Sequence, residues 1–280
     1  DLLVYLISFS KLAKTQMVWW GHPESPCTNM DYYISSRFFN DSREQYHEKL
    51  LKMNTLSVIY SRPSVKPNPN VTKAELGLPD GCPIYMCIQT FFKYSCEFDD
   101  ALYHILEKDP AARIIIVDAL TLSYYREMLS QRWQGKMPIE FWSRIQFASR
   151  RNSLEELLTL VQHADVLLDT FPFSGSTTHL ECFSIGKPVV TMNGTDLRGS
   201  LCSGIYRRLG IQNAPIASSL KEYVDIAVNL ANNKVETLRL QEDILQAMES
   251  FYNAEEEKKE WNELFINIAE QKNMDKYSPI

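Results

Sequence analysis

The sequence predicts an α/β protein built on a Rossmann-like, doubly wound parallel sheet. Three observations point there. Short β-branched and apolar runs alternate with amphipathic helical stretches from about residue 83 to 210. Several of those runs are apolar at consecutive positions, as strands buried on both faces of a parallel sheet require. The 280 residues carry 45% apolar side chains, enough for a sizeable core.

The strand candidates, in chain order, are MVWW (17–20), DYYISS (31–36), LSVIYS (56–61), PIYMCIQ (83–89), RIIIVDA (113–119), RIQFAS (144–149), DVLLDT (165–170) and PVVTM (188–192). Helical stretches lie between them. In 97–108, Phe98, Leu102, Ile105 and Leu106 share one face. In 153–164, Ser153 is the N-cap, Glu155 and Glu156 fill the first turn, and Leu154, Leu157, Leu158 and Val161 face inward. Beyond 219 the chain reads as helical and ends in the charged stretch 254–272. The segment 62–80 holds four prolines and reads as a connector. We therefore expect a partial lobe over 1–61, a Pro-rich linker over 62–77, a complete Rossmann-like lobe over 78–272 and a tail over 273–280.

Net charge is −6 and the pI about 5.5, so no basic surface calls for nucleic acid or a membrane. No apolar stretch approaches the roughly 20 residues of a membrane helix. The opening DLLVYLISFSKLAKTQ lacks a charged leader and a cleavage site, and the first residue is Asp1; we read a fragment or a processed chain without a secretory signal. The sequons at Asn40, Asn70 and Asn193 then read as chance. Cys27, Cys82, Cys87, Cys96, Cys182 and Cys202 show no CxxC pair and no His at metal spacing. Free thiols in the cytoplasm or nucleus are expected, with no zinc site.

The chemistry concentrates in ADVLLDTFPFSGSTTHLECFSIGKPVVTM (164–192). An apolar strand ends at Asp169-Thr170, a loop with Pro172 and Gly175 follows, and a helix starts near Ser176, Thr177 and Thr178. Strand, small-residue loop and helix start together make an anion site, because first-turn N–H groups are free and the dipole is positive there. Glu181, one turn on, can accept from a ribose diol. A Ser/Thr pair at a helix start taken alone reads as a plain N-cap, and a lone Glu as a solvated helix residue; the wider tract decides otherwise.

That tract resembles the L-D-x-x-P-(Y/F)-x-x-x-T-T-x-x-(D/E) signature of the O-GlcNAc transferase and Spindly glycosyltransferases. It is carried here by Leu168, Asp169, Pro172, Phe173, Thr177, Thr178 and Glu181, followed by GKPVVTM. The resemblance extends to WWGHP (19–23) and LPDGCPIYMCIQTFFK (78–93) and covers most of the chain. It implies a GT-B fold whose donor sits mainly in the C-terminal lobe, with 1–61 a remnant of the N-terminal catalytic lobe. It implies that Thr177 and Thr178, with Gly175, Ser176 and Asn152 nearby, hold the donor diphosphate and nucleoside, and that Glu181 holds the ribose. It implies that Lys93 neutralises the leaving diphosphate, and that His22 contacts the sugar or acceptor. A fixed cation and helix-start N–H groups can replace a metal, so no cofactor is expected. His179 is taken as structural, and His47, His104 and His163 receive no role.

The leading expectation is inverting transfer from UDP-GlcNAc to Ser or Thr of an acceptor protein or peptide. Leu154 and Leu157 stand where some family members carry a Lys that helps hold the uridine and where a His is usual; with Glu181, this favours an alternative donor. A second departure is Glu24-Ser25-Pro26-Cys27 in place of the usual T-S-G or T-T-G after WWGHP. A Spindly-like O-fucosyltransferase using GDP-fucose, an N-glucosyltransferase relative, and a lobe that binds nucleotide or a partner without turnover stay open.

Overall fold

The computed structural model describes residues 2–117, 123–149 and 151–279. A short helix α1 (Leu2–Ile7) leads into a parallel sheet of three strands, β1 (Met17–Trp19), β2 (Tyr32–Ser36) and β3 (Lys49–Met53), in the order β1-β2-β3. The connector then carries the chain to a six-stranded sheet made of β4 (Ile84–Cys87), β5 (Arg113–Val117), β6 (Ile145–Ala148), β7 (Val166–Leu168), β8 (Val189–Met192) and β9 (Ile216–Ala217). Its order is β6-β5-β4-β7-β8-β9, every pairing parallel. The chain winds outward from β4 to β6, crosses back, and winds the other way from β7. The strand order therefore reverses between β4 and β7. The loops leaving their C-terminal ends meet at this switch point, where a crevice outside the strand ends is the usual ligand position in such sheets.

The helices follow the sequence logic. In α2 (Cys96–Lys108), Ser95 caps the first turn by accepting from Phe98 N, and Phe98, Leu102, Ile105 and Leu106 are buried. After β5, α3 (Ser123–Lys136) and the single turn α4 (Ile139–Trp142) lead to β6. In α5 (Leu154–Val161), Ser153 accepts from Glu156 N; Leu158 and Val161 are buried, while Leu154 and Leu157 are half-buried. After α6 (Thr177–Phe183) and α7 (Leu201–Leu209) come α8 (Leu220–Asn232), α9 (Lys234–Phe251) and α10 (Glu255–Glu270).

Three expectations change. Residues 56–61 form no strand. Ser57 takes a left-handed backbone (φ 53°), and Leu56 O accepts from the Trp20 indole at 2.7 Å instead of from a ladder partner. The strand falls at β3, which its flanking lysines disguised: Lys52 Nζ folds back onto Asp41 Oδ1 (2.6 Å) and the carbonyls of Phe39 and Asp41. Second, α10 packs on the first sheet, not the second. Leu264 and Ile268 meet Ile34, Leu51 and Met53, and Glu260 caps the N–H groups of Asn54 and Thr55 at 2.7 and 2.9 Å. By packing, the larger lobe ends near 251. Third, the expected tail is anchored over 273–279, since Tyr277 is fully buried in that same cluster. Strand β9 was also not anticipated, and the last two residues of the 113–119 run lie outside the described residues.

The two layers are joined through the loop after β2. Asn40 donates from Nδ2 to Asn193 Oδ1 and Gly194 O, both at 2.7 Å, and Arg207 donates to Phe38 O at 3.0 Å. Phe39 lies so close to Gly204 on α7 that a Cβ there would fall 2.5 Å from its ring.

Candidate functional site

The crevice is built from the loops after β4 and β7. Beyond Cys87 the chain passes buried Gln89 and makes a single tight turn, Phe91–Lys93, closed by Lys93 N donating to Thr90 O at 3.0 Å. The turn swings Lys93 across to the neighbouring loop. Its ammonium donates to Gln89 Oε1 and to Ser174 O, each at 2.9 Å, and lies 4.4 Å above the Phe173 ring centre. Burial pulls the Lys93 pKa below its ordinary value, opposed by the negative charge of Asp169. An ammonium has three N–H donors, so one remains for a ligand.

Beyond β7, Asp169 folds the second loop around its carboxylate. Fully buried, it accepts from Gly175 N (2.8 Å), Thr191 Oγ1 (2.7 Å) and the Ser174 hydroxyl. The Tyr223 hydroxyl donates to its backbone carbonyl at 2.8 Å. Ser95 Oγ donates to Phe171 O at 2.7 Å and so ties the two loops together. Gly175 is required by crowding: a Cβ there would fall 2.3 Å from Gln89 Nε2 and 2.6 Å from His179 Cε1. Helix α6 then starts, with Thr177 exposed and Thr178 half-buried. The N–H groups of Ser176, Thr177 and Thr178 have no hydrogen-bond partner among the described residues. The helix has only seven residues, so its dipole adds little and Lys93 supplies the positive charge.

The remaining expected residues lie further out. Glu181 is half-buried one turn along α6, near Tyr60, and burial raises its pKa. Asn152 is exposed before α5, at the C-terminal end of the outer strand β6, and its N–H donates to Glu156 Oε2 at 3.0 Å. His22 is exposed, its Nδ1 3.0 Å from Glu24 O. Its loop is tied to the second lobe where Glu24 pairs with Arg198 at 3.5 Å, and Arg198 lies 5.9 Å from the Phe173 ring centre. The structure thus brings Lys93 onto the 173–175 segment that leads into Ser176, Thr177 and Thr178, and leaves His22 and Asn152 outside that cluster.

Sequence reasoning missed Gln89, Ser174 and Arg198, and gave Asp169 no task beyond the motif. A polar residue inside an apolar strand run, such as Gln89, was the available signal. Asp169, His179 and Cys202 bring potential ligand atoms within 4.8 Å of one another. The donor set does not suit a metal, because the carboxylate is already filled by Gly175, Ser174 and Thr191.

Known proteins share this architecture. A mutant of O-GlcNAc transferase from Thermobaculum terrenum superposes with a TM-score of 0.78 at 25% identity, covering 91% of this chain and 48% of that one. Sucrose-phosphate synthase from Thermosynechococcus elongatus shares the fold at a TM-score of 0.58 and 13% identity, covering 87% of this chain and 59% of its own. In sequence, the chain is 26% identical over 234 residues to an Arabidopsis thaliana protein described as a probable UDP-N-acetylglucosamine–peptide N-acetylglucosaminyltransferase, SEC, covering 79% of this chain and 23% of the relative. It is 23% identical over 261 residues to a UDP-glucose:protein N-beta-glucosyltransferase from Actinobacillus pleuropneumoniae, covering 88% and 39%. The chain thus spans between about a quarter and two fifths of these relatives' lengths. The family model for glycosyl transferase family 41 matches residues 64–256, which hold both crevice loops. The chain belongs to glycosyl transferase family 41.

Proposed function

We propose that the protein acts in protein glycosylation, transferring a sugar from a nucleotide-diphosphate donor to an acceptor side chain, with UDP-GlcNAc as donor and Ser or Thr hydroxyls as acceptors. One observation carries the reading: a half-buried lysine, Lys93, lies over the loop that opens into Ser176, Thr177 and Thr178, where the strand order reverses. In an inverting transfer the acceptor hydroxyl oxygen attacks the anomeric carbon, its proton passes to solvent or to the departing diphosphate, the bond to the diphosphate oxygen breaks, and charge builds on the leaving group. A desolvated ammonium and unpaired N–H groups stabilise that charge without reorganising. In this scheme Thr177 and Thr178 hold the phosphates with Gly175 and Ser176, Glu181 takes the ribose diol, and Asn152 borders the base. His22, on the loop tied by Glu24 to Arg198, faces the sugar or the acceptor.

A GDP-fucose donor is the second reading. It is favoured by the apolar, half-buried Leu154 and Leu157 beside the proposed base position. Calorimetric titration with UDP, GDP, UDP-GlcNAc and GDP-fucose separates the two. UDP and its sugar should bind, and chelation by EDTA should leave that binding unchanged. Binding of GDP alone would move the assignment to the second reading. Binding of neither diphosphate would remove the donor-site assignment.

A further inference from the structure

The Lys93 ammonium does not hang free in the crevice. It is held by a buried chain of side chains that runs back into the core. Gln89, 4% exposed, accepts from Lys93 Nζ through Oε1. Its Nε2 lies 3.0 Å from Nε2 of His179, which is 1% exposed. The same imidazole nitrogen is 3.5 Å from Asp169 Oδ1. Gly175 permits the meeting, because any Cβ there would strike both Gln89 and His179.

Donor and acceptor parity decides how this chain is wired. An ammonium can only donate, so Gln89 must turn its oxygen to Lys93 and its NH₂ to His179. His179 Nε2 must then accept, which leaves a neutral ring with its proton on Nδ1. Burial favours the same neutral form, so the 3.5 Å approach to Asp169 is no ion pair. The wiring puts the ring proton on the buried Nδ1, which has no side-chain partner, with the Gly175 backbone beside the ring. With His179 as a donor instead, the Gln89 amide would have to flip, and Lys93 would lose an acceptor.

We propose that Gln89 and His179 are positioning residues: the His179 acceptor holds the Gln89 amide in the one orientation that presents oxygen to Lys93, and so aims the remaining ammonium N–H at the donor diphosphate. The proposal rests on the diphosphate role given to Lys93 above. The arrangement joins residues 90 positions apart, on the two loops that define the crevice.

The test is calorimetric titration of UDP against uridine, or of GDP against guanosine if the wild-type protein selects GDP. The variants are His179→Leu, His179→Gln, Gln89→Leu and Lys93→Ala, each checked for folding by thermal melting. Loss of one such hydrogen bond should weaken the diphosphate about fivefold in His179→Leu and leave the nucleoside within about twofold. His179→Gln, whose Oε1 can take the place of Nε2, should restore the diphosphate to within about twofold. If His179→Leu does not fold, Gln89→Leu cuts the same link from the other side and should show the same loss. Unchanged diphosphate affinity in these variants, or equal loss of diphosphate and nucleoside, would overturn the proposal while Lys93→Ala still weakened the diphosphate. If Lys93→Ala itself left the diphosphate unaffected, the donor-site reading would fall first.

Discussion

Asp169 shapes the crevice without facing it. Its buried carboxylate draws in Gly175 N, Ser174 Oγ and Thr191 Oγ1. Removing it leaves Gly175 N buried and unpaired and the two hydroxyls with only longer bonds to Gly175 O (3.2 Å) and Met192 O (3.4 Å), so Asp169→Ala should cost about 2–4 kcal/mol in urea unfolding. A loss below about 1 kcal/mol would mean that the loop folds without its anchor. Glu181 offers a test of opposite sign. Burial raises its folded pKa, so its contribution to stability is present below the unfolded value and is lost as pH rises through the folded one. Glu181→Gln should therefore raise the urea midpoint relative to wild type at about pH 8 and gain nothing at about pH 4. A gain equal at both pH values would show that burial does not govern this carboxylate.

At the level of elements, what the sequence revealed depended on how local the signal was. Strands β4, β5, β7 and β8 were readable because apolar residues run unbroken in a sheet covered on both faces. Helices α2 and α5 were readable from their serine caps. Strand β3 was hidden because Lys52 neutralises itself on Asp41, a pairing no pattern of apolar residues reveals. The Lys93 loop and the Thr177–Thr178 helix start were legible as motifs. Their partners were not: Gln89 and His179 meet only because β4 and β7 lie side by side. The placement of α10 was likewise invisible, since its apolar face fits either sheet until the chain is folded. Leu264 is fully buried against β2 and β3, so Leu264→Ala should destabilise by about 2–5 kcal/mol. Urea unfolding that showed less than about 1 kcal/mol would place α10 off the first sheet.

Across the whole molecule, one order of strands explains where the chemistry collects. The reversal between β4 and β7 brings two loops together at the switch point and sets Lys93 against the segment leading into Thr177. The first sheet, fastened through Asn40, Arg207 and the Phe39–Gly204 contact, carries the His22 loop toward the same region. The most direct test of this account is the affinity of Lys93→Ala for UDP and for uridine, each compared with wild type. Lys93 should act on the diphosphate alone. UDP binding should weaken by about 1.5–3 kcal/mol, roughly 10- to 150-fold, with uridine unchanged. Equal weakening of both ligands, or no change in UDP binding, would contradict it.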